Sequence, residues 1–166
     1  MVNNNVNFVT VGGTKQVGGI VGISADSGEY GTLEPQVCNN YNMGMVIGST
    51  NESIGAVIGR NVNGFGDTIN NYYLEGCAVG ADGEHRQAVG KTSGSADDTK
   101  YSASSFNSTE SKMKGTAGDY AGLDLITALN EWVGTNSSYG VVAWEATGPD
   151  GYPLPMGSWT SSLRED

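Results

Sequence analysis

The sequence predicts a mainly β fold: a β-solenoid or β-helix-like stack of short repeats, closed by a C-terminal cap that contains one α-helix. Three observations carry this expectation. Gly, Asn, Ser and Thr supply 70 of the 166 residues, a composition found in disordered chains and in repeat structures with many tight turns. Short apolar runs, Val17–Ile23, Met43–Ile47 and Ile54–Ile58, recur between turn residues, the pattern of many short strands and not of disorder. The third observation is that the chain repeats itself.

Val17-Gly18-Gly19-Ile20-Val21-Gly22 returns 37 residues later as Ile54-Gly55-Ala56-Val57-Ile58-Gly59. A second element, Asn39-Asn40-Tyr41-Asn42-Met43-Gly44-Met45-Val46, returns as Asn70-Asn71-Tyr72-Tyr73-Leu74-Glu75-Gly76-Cys77, and a degraded copy precedes it at Asn4-Asn5-Val6-Asn7. Ala88-Val89-Gly90 reads as a worn third Gly element. In the Gly element the β-branched pair suits a short strand, while the flanking glycines allow positive φ or close approach of a neighbouring backbone. The Asn pairs suit corners, because their side chains bond to nearby backbone and tolerate left-handed conformations. Identical corners stacked on one another would let Asn side chains bond from rung to rung. A unit this small cannot bury its apolar face alone, so successive units must stack.

This alternation, with Cys38-Asn39-Asn40-Tyr41-Asn42-Met43-Gly44 between Val17–Gly22 and Ile54–Gly59, resembles the GLUG repeat family of bacterial surface proteins. The resemblance covers roughly residues 1–90. Ala56 stands where the motif has Gly, which leaves open how many complete coils there are. The family occurs in large exported proteins, among them adhesin-like proteins and IgA-cleaving metallopeptidases whose repeats lie outside the catalytic domain. The resemblance implies an extracellular β-solenoid used as a stalk or adhesive surface, with Gly18, Gly19, Gly22, Asn39, Asn40, Gly55, Gly59, Asn70 and Asn71 as the repeat-defining positions.

Composition shifts near residue 80: residues 1–81 carry 8 charged side chains and residues 82–166 carry 18. The repeats are therefore assigned to 1–95. Lys91–Lys112, rich in Ser, Thr and Asp, reads as a long loop. Leu123, Ile126, Leu129 and Val133 fall at helical spacing, with Leu125 and Trp132 widening the apolar face, so Ala121–Val133 is predicted as a helix stopped at Gly134. Tyr139–Glu145 has strand-like content, and Gly148-Pro149-Asp150-Gly151 is a turn. Exposed solenoid edges invite aggregation and need covering, so residues 96–157 are expected to form a cap on the last coil. Residues 158–166 read as a trailing linker.

Formal charge is −10, from 18 acidic and 8 basic residues, which argues against a nucleic-acid partner, since neutralising phosphate takes clustered Lys and Arg. No apolar run approaches the roughly 18 residues that cross a bilayer, so no membrane insertion is expected. Met1 leads straight into Val-Asn-Asn-Asn, with no signal-peptide pattern. An exported source would make this chain a fragment of a larger protein.

Candidate chemistry is sparse. His85, the single histidine, sits in the polar stretch Asp82-Gly83-Glu84-His85-Arg86 and reads as a solvent-facing loop residue, which leaves no Ser/His/Asp or Cys/His arrangement. Cys38, Cys77 and His85 fall short of a four-ligand zinc site. The two cysteines could pair in an exported setting, but read better as small buried apolar groups. Gly90-Lys91-Thr92 lacks the Gly that a phosphate loop needs five residues upstream, where His85 stands, and Val17 occupies the first Gly of a dinucleotide motif. Asp26, Glu29 and Glu34, and Asp97-Asp98, recur at no period that would align paired acids. Calcium ligation by Asp82, Glu84, Asp97 or Asp98 lacks the EF-hand spacing. Asn51, Asn107 and Asn136 begin glycosylation sequons, which a bacterial source makes uninformative.

Tyr41, Tyr72 and Tyr73 remain as a candidate ligand face, where stacked rings could meet sugars; a packed aromatic ladder is the structural alternative. Trp132 and Trp144 are expected in the cap core. The expected function is non-enzymatic, with no cofactor and no metal: a surface-exposed repeat module of a bacterial cell-surface or secreted protein, serving adhesion or spacing towards a host or matrix glycan or protein. The alternatives are a carbohydrate-binding module, a β-helical glycan-active enzyme, which needs two facing acids within about 5–10 Å, and a support for a catalytic domain elsewhere.

Overall fold

A computed structural model describes residues 2–25, 37–62, 68–93, 101–106 and 124–157. Among the described residues the fold is mainly β, made largely of short parallel sheets, with one α-helix. The first copy of the repeat contributes β1 (Val2–Asn3), β2 (Val6–Asn7), β3 (Val11–Gly13), β4 (Val17–Gly18) and β5 (Val21–Ala25). The second contributes β6 (Val37–Cys38), β7 (Tyr41–Asn42), β8 (Val46–Gly48), β9 (Ile54–Gly55) and β10 (Ile58–Val62). The third contributes β11 (Thr68–Leu74), β12 (Ala78–Val79) and β13 (Val89–Ser93), and β14 (Tyr101–Phe106) follows.

Each strand pairs in parallel with its equivalent in the next copy. Val2 lies opposite Val37, Val6 opposite Tyr41 and Val11 opposite Val46, all 35 residues apart. Val17 opposite Ile54 and Val21 opposite Ile58 are 37 apart, the difference being taken up in the longer turn before β9. The third copy follows at 31 residues, with Val37 opposite Thr68, Tyr41 opposite Tyr72, and Ile58 opposite Val89. Ala88-Val89-Gly90 is thus the third Gly element in register. β14 pairs with β11, so the strand stack runs past residue 95, and Lys91–Lys112, predicted as loop, contains the end of β13 and all of β14. Ser and Thr in that stretch alternate with few apolar residues, and pairing to an existing edge supplies what local propensity lacks.

The corners are made by asparagine. Asn4, Asn39 and Asn70 hold φ of 52°, 57° and 54°, the left-handed region that Asn tolerates best among non-glycine residues. Gln16 and Ser53 repeat this at the turns before β4 and β9, with φ of 56° and 58°. The repeat glycines play the other of their two roles: none of Gly18, Gly19, Gly22, Gly55 or Gly59 has positive φ. A methyl group at Gly18 would lie 2.1 Å from the Val21 carbonyl oxygen and 2.5 Å from the Gly59 nitrogen; at Gly55 it would lie 2.1 Å from the Ile58 oxygen and 2.5 Å from the Gly90 nitrogen. Gly19 faces the Ala56 oxygen and the Asn42 side chain, both at 2.4 Å, while Gly22 and Gly59 back onto the Gln16 main chain at 2.9 and 2.4 Å. Close backbone contact is the property selected here.

Between the sheets lies an interior of Val17, Val37, Val46, Ile54, Ala56, Val57, Ile58, Tyr73, Cys77, Ala78 and Ala88. A second cluster lies on the flank, where Tyr41 and Tyr72 meet Leu125, Ala128, Leu129, Trp144 and Tyr152. The helix, α1, spans Leu125–Thr135, four residues later at its start than the periodicity predicts. Asp124 caps it, accepting from the Thr127 N–H at 3.0 Å, and a side-chain cap overrides an apolar pattern that continues upstream. It runs through exposed Gly134 to an Asn136 C-cap, whose amide donates to the Trp132 carbonyl at 2.9 Å. Tyr139–Glu145 yields a 3₁₀ turn at Ser137–Tyr139 and only a short strand, β15 (Trp144–Glu145), which pairs antiparallel with β16 (Leu154–Pro155). Pro149–Gly151 turns between them. Asn130 clamps helix to hairpin, donating to the Trp144 carbonyl at 3.0 Å and accepting from its N–H at 2.8 Å.

Among the described residues, the C-terminal unit meets more than the last copy of the repeat. It lies along the flank, touching the first copy through Asn4 and Phe8, the second through Tyr41 and the third through Asn70 and Tyr72. The apolar face of α1 finds its partner in the Tyr41–Tyr72 column. Residues 158–166, read as a linker, lie outside the described residues.

The glycine contacts generate a test. Gly55→Ala should destabilise the fold by about 3 kcal/mol in urea unfolding, because backbone atoms on two sides must move. Gly12→Ala, with nothing within 4 Å of the added carbon, should change stability by less than about 0.5 kcal/mol. Equal costs at the two sites would contradict the close-packing role.

Candidate functional site

The chemistry singled out by the sequence converges on one face of the stack, where the Asn corners lie beside the tyrosine column. Three runs of side-chain hydrogen bonds cross the copies there. In the first, the Asn70 amide donates to Asn39 Oδ1 at 2.7 Å and the Asn39 amide to Asn4 Oδ1 at 2.8 Å. Asn4 ends that run by donating to the Val142 carbonyl of the C-terminal unit. In the second, direction reverses: Asn5 donates to Asn40 Oδ1 and Asn40 to Asn71 Oδ1, both at 2.9 Å. The main-chain N–H groups of Asn5 and Asn40 donate to the same two oxygens, at 2.8 and 3.1 Å. A backbone N–H can only donate, so these contacts fix which end of each amide is the oxygen. The third run is short: the Asn7 amide donates to Asn42 Oδ1 at 2.8 Å.

Asn39, Asn40, Asn42 and Asn71 are fully buried, and Asn70 nearly so. Buried amides are tolerated only when paired, and here each is paired by its own equivalent in the next copy. Asn42 also donates to the Gly44 and Ala56 carbonyls at 3.0 and 2.9 Å and to Cys77 Sγ at 3.5 Å. Asn42 and Asn7 stand inside the repeat elements but outside the repeat-defining positions, which stop at the Asn pair. The signal was present as Asn5-x-Asn7 and Asn40-x-Asn42, but the third copy reads Asn71-x-Tyr73 and breaks it.

The three tyrosines do not form an exposed face. Tyr41 and Tyr72 are 0% and 1% exposed and Tyr73 8%. Register puts Tyr72 opposite Tyr41 but Tyr73 opposite Asn42, so Tyr73 points into the interior cluster while the other two point out beneath α1 and the hairpin. Tyr41 is boxed by Phe8, edge-on at 5.8 Å, and by Trp144 at 5.6 Å. Its hydroxyl donates to the Pro153 carbonyl, and that of Tyr72 to Asn70 Oδ1. Burial, with the nearby Tyr152 phenol second, pushes the Tyr41 hydroxyl far above its ordinary value. A ring face for sugars therefore lies covered: what the alternation of a strand places outward, the C-terminal unit buries.

The remaining candidates scatter. Cys38 and Cys77 are buried and form no disulfide with each other; burial pushes Cys77 up to about 11, against the smaller opposing effect of the Asn42 hydrogen bond. His85 is exposed, bridging to Val79. Beside it Arg86 holds both Asp82 carboxylate oxygens at 2.7 Å, which lowers the Asp82 pKa, and Asn51 Oδ1 accepts from the Asp82 N–H at 2.9 Å. This is a pinned loop. Among the described residues, no three His, Cys, Asp or Glu side chains converge on a point. Asp26, Glu29, Glu34, Asp97, Asp98 and Asn107 lie outside the described residues. Comparison with known protein families, with curated proteins and with solved structures finds no match.

Two measurements follow from this geometry. Asn40→Ala strips partners from Asn5 and from buried Asn71, and should cost about 3 kcal/mol in chemical unfolding, since orphaned buried amides lose roughly 1–3 kcal/mol each; a cost under about 1 kcal/mol would mean the ladder is not closed. At pH 8, a thiol-labelling reagent should modify Cys38 and Cys77 only at the rate of unfolding, both being buried; labelling within the mixing time would contradict their placement.

Proposed function

We propose that the chain is a non-enzymatic repeat module of a bacterial cell-surface or secreted protein, serving adhesion or spacing, and that its repeats belong with the GLUG motif. On this reading the parallel strand stack is a β-solenoid, each copy of the repeat one coil, and its partner a host or matrix glycan or protein. The observation that carries it is the use made of the polar side chains. The buried asparagines are spent on holding one copy to the next, the glycines on letting backbones touch, and Tyr41 and Tyr72 on docking the C-terminal unit. A long, internally bonded stack of this kind holds its ends apart and presents a surface along its length, which suits a stalk or an adhesive array. Covering of Tyr41, Tyr72 and Tyr73 removes the ring face on which a carbohydrate-binding reading rested.

The test is where the chain resides. Antibody raised against it should label intact, unpermeabilised cells of its source or recover it from their medium. Labelling that appears only after permeabilisation would overturn the surface assignment. Turnover of any glycan substrate by the purified chain would overturn the non-enzymatic one.

A further inference from the structure

The Asn ladders end asymmetrically, and one end carries unused bonding capacity. Oxygens Oδ1 of Asn40 and Asn71 each accept two hydrogen bonds from the preceding copy, one from an Asn amide and one from a main-chain N–H. Among the described residues, the equivalent Asn5 Oδ1 accepts none, although the Asn5 amide is held by the Asn3 carbonyl and Asn40 at 2.8 and 2.9 Å, so its oxygen has a set direction. Asn42 Oδ1 accepts from Asn7 and from the Gly44 N–H, whereas among the described residues Asn7 Oδ1 accepts only from the Val9 N–H, at 3.1 Å.

The main chain beside these oxygens is open in the same sense. Tyr41 and Met43 donate their N–H groups to the Asn5 and Asn7 carbonyls at 3.0 and 2.8 Å, and Tyr72 donates to Asn40 at 2.9 Å. Val6 and Phe8 hold the corresponding places in the first copy, so their amides point away from the second. Among the described strands, β1, β2, β3 and β5 each stand at an end of their sheet. The usual protections of an edge, lysines, prolines and inward charges, are thin here. Residues 2–25 contain no proline, and their one charged side chain, Lys15, is paired with Glu52 at 3.3 Å.

We propose that this edge is a strand-addition site for an extended segment running parallel to β1 and β2 and carrying Asn-x-Asn. Its first asparagine would lie over Asn5 and donate both its main-chain N–H and its side-chain amide to Asn5 Oδ1; its second would donate to Asn7 Oδ1; its carbonyls would accept from Val6 and Phe8. Main-chain bonds then supply affinity and the two amides supply sequence preference. A second copy meeting this edge through a two-fold axis would bring the same acceptor oxygens and leave them unmatched, so the occupant is a donor-bearing segment. The inference rests on the ladder geometry alone and holds whether or not the chain works at a cell surface.

The probe is a synthetic peptide of residues 37–48 of this chain, which carries Asn40-x-Asn42, with its cysteine replaced by serine. Added to the isotope-labelled full chain, it should shift the Val6 and Phe8 amide resonances and slow their hydrogen exchange. The same peptide with both asparagines changed to alanine should bind about tenfold more weakly. Absence of shifts at millimolar peptide would overturn the proposal. So would equal binding of the alanine peptide, or a chain found by sedimentation to be already dimeric through these amides.

Discussion

Everything in this molecule answers to the cost of burying a carboxamide. An Asn side chain taken out of water needs partners for an acceptor and for a donor, and leaving them unmade costs roughly 1–3 kcal/mol. Asn39, Asn40, Asn42 and Asn71 are all fully buried, and the partner of each is an equivalent residue on the neighbouring strand. That solution has one condition, which is register. A slip by a single residue would set Asn40 against the wrong neighbour and, because strand side chains alternate, turn Tyr41 from the flank to the interior. Strands of two or three residues carry little register information in their apolar pattern. The amide ladders supply it. The glycines act in the same direction, since Gly18 and Gly55 permit strand spacing that no side chain would allow.

The ladders also explain where the C-terminal unit docks. Asn corners in left-handed conformation throw Tyr41 and Tyr72 outward as a column with Val6 above them, and such a column is too apolar to leave in water. Helix α1 and the β15–β16 hairpin cover it. Polar links tie that cover to the first copy at Val142, to the second at Pro153 and to the third at Ala128. A unit bonded to three successive copies resists their separation, which a unit seated on one end would not do.

How much of this the sequence shows depends on whether the controlling contact is local. The repeat, its parallel β character and the bonding of Asn to Asn follow from self-similarity, because identical residues at a fixed period must stack if the period closes. The third Gly element, Ala88-Val89-Gly90, is legible for the same reason. Placement of the C-terminal unit is not legible, since nothing in the spacing of Leu125, Ala128 and Leu129 says whether they meet a stack's end or its side. The tyrosines illustrate the same gap. Tyr72 and Tyr73 are adjacent and look alike, yet alternation sends one to the flank and the other inside. β14 is hidden because Tyr101–Phe106 has no apolar signature of its own and takes its conformation from β11. The helix start is displaced because Asp124, which lies inside the predicted span, serves as its cap.

The most direct measurement of the ladder is hydrogen exchange of the side-chain amides themselves, followed by NMR on the intact chain. If the carboxamides of Asn39, Asn40, Asn42 and Asn71 are bonded across copies and closed to water, their NH₂ protons exchange as slowly as the core backbone amides of β7 and β10, while that of exposed Asn51 exchanges freely. Exchange of the four buried amides at the rate of Asn51 would mean that the ladders do not hold the stack, and the account built on them would fail.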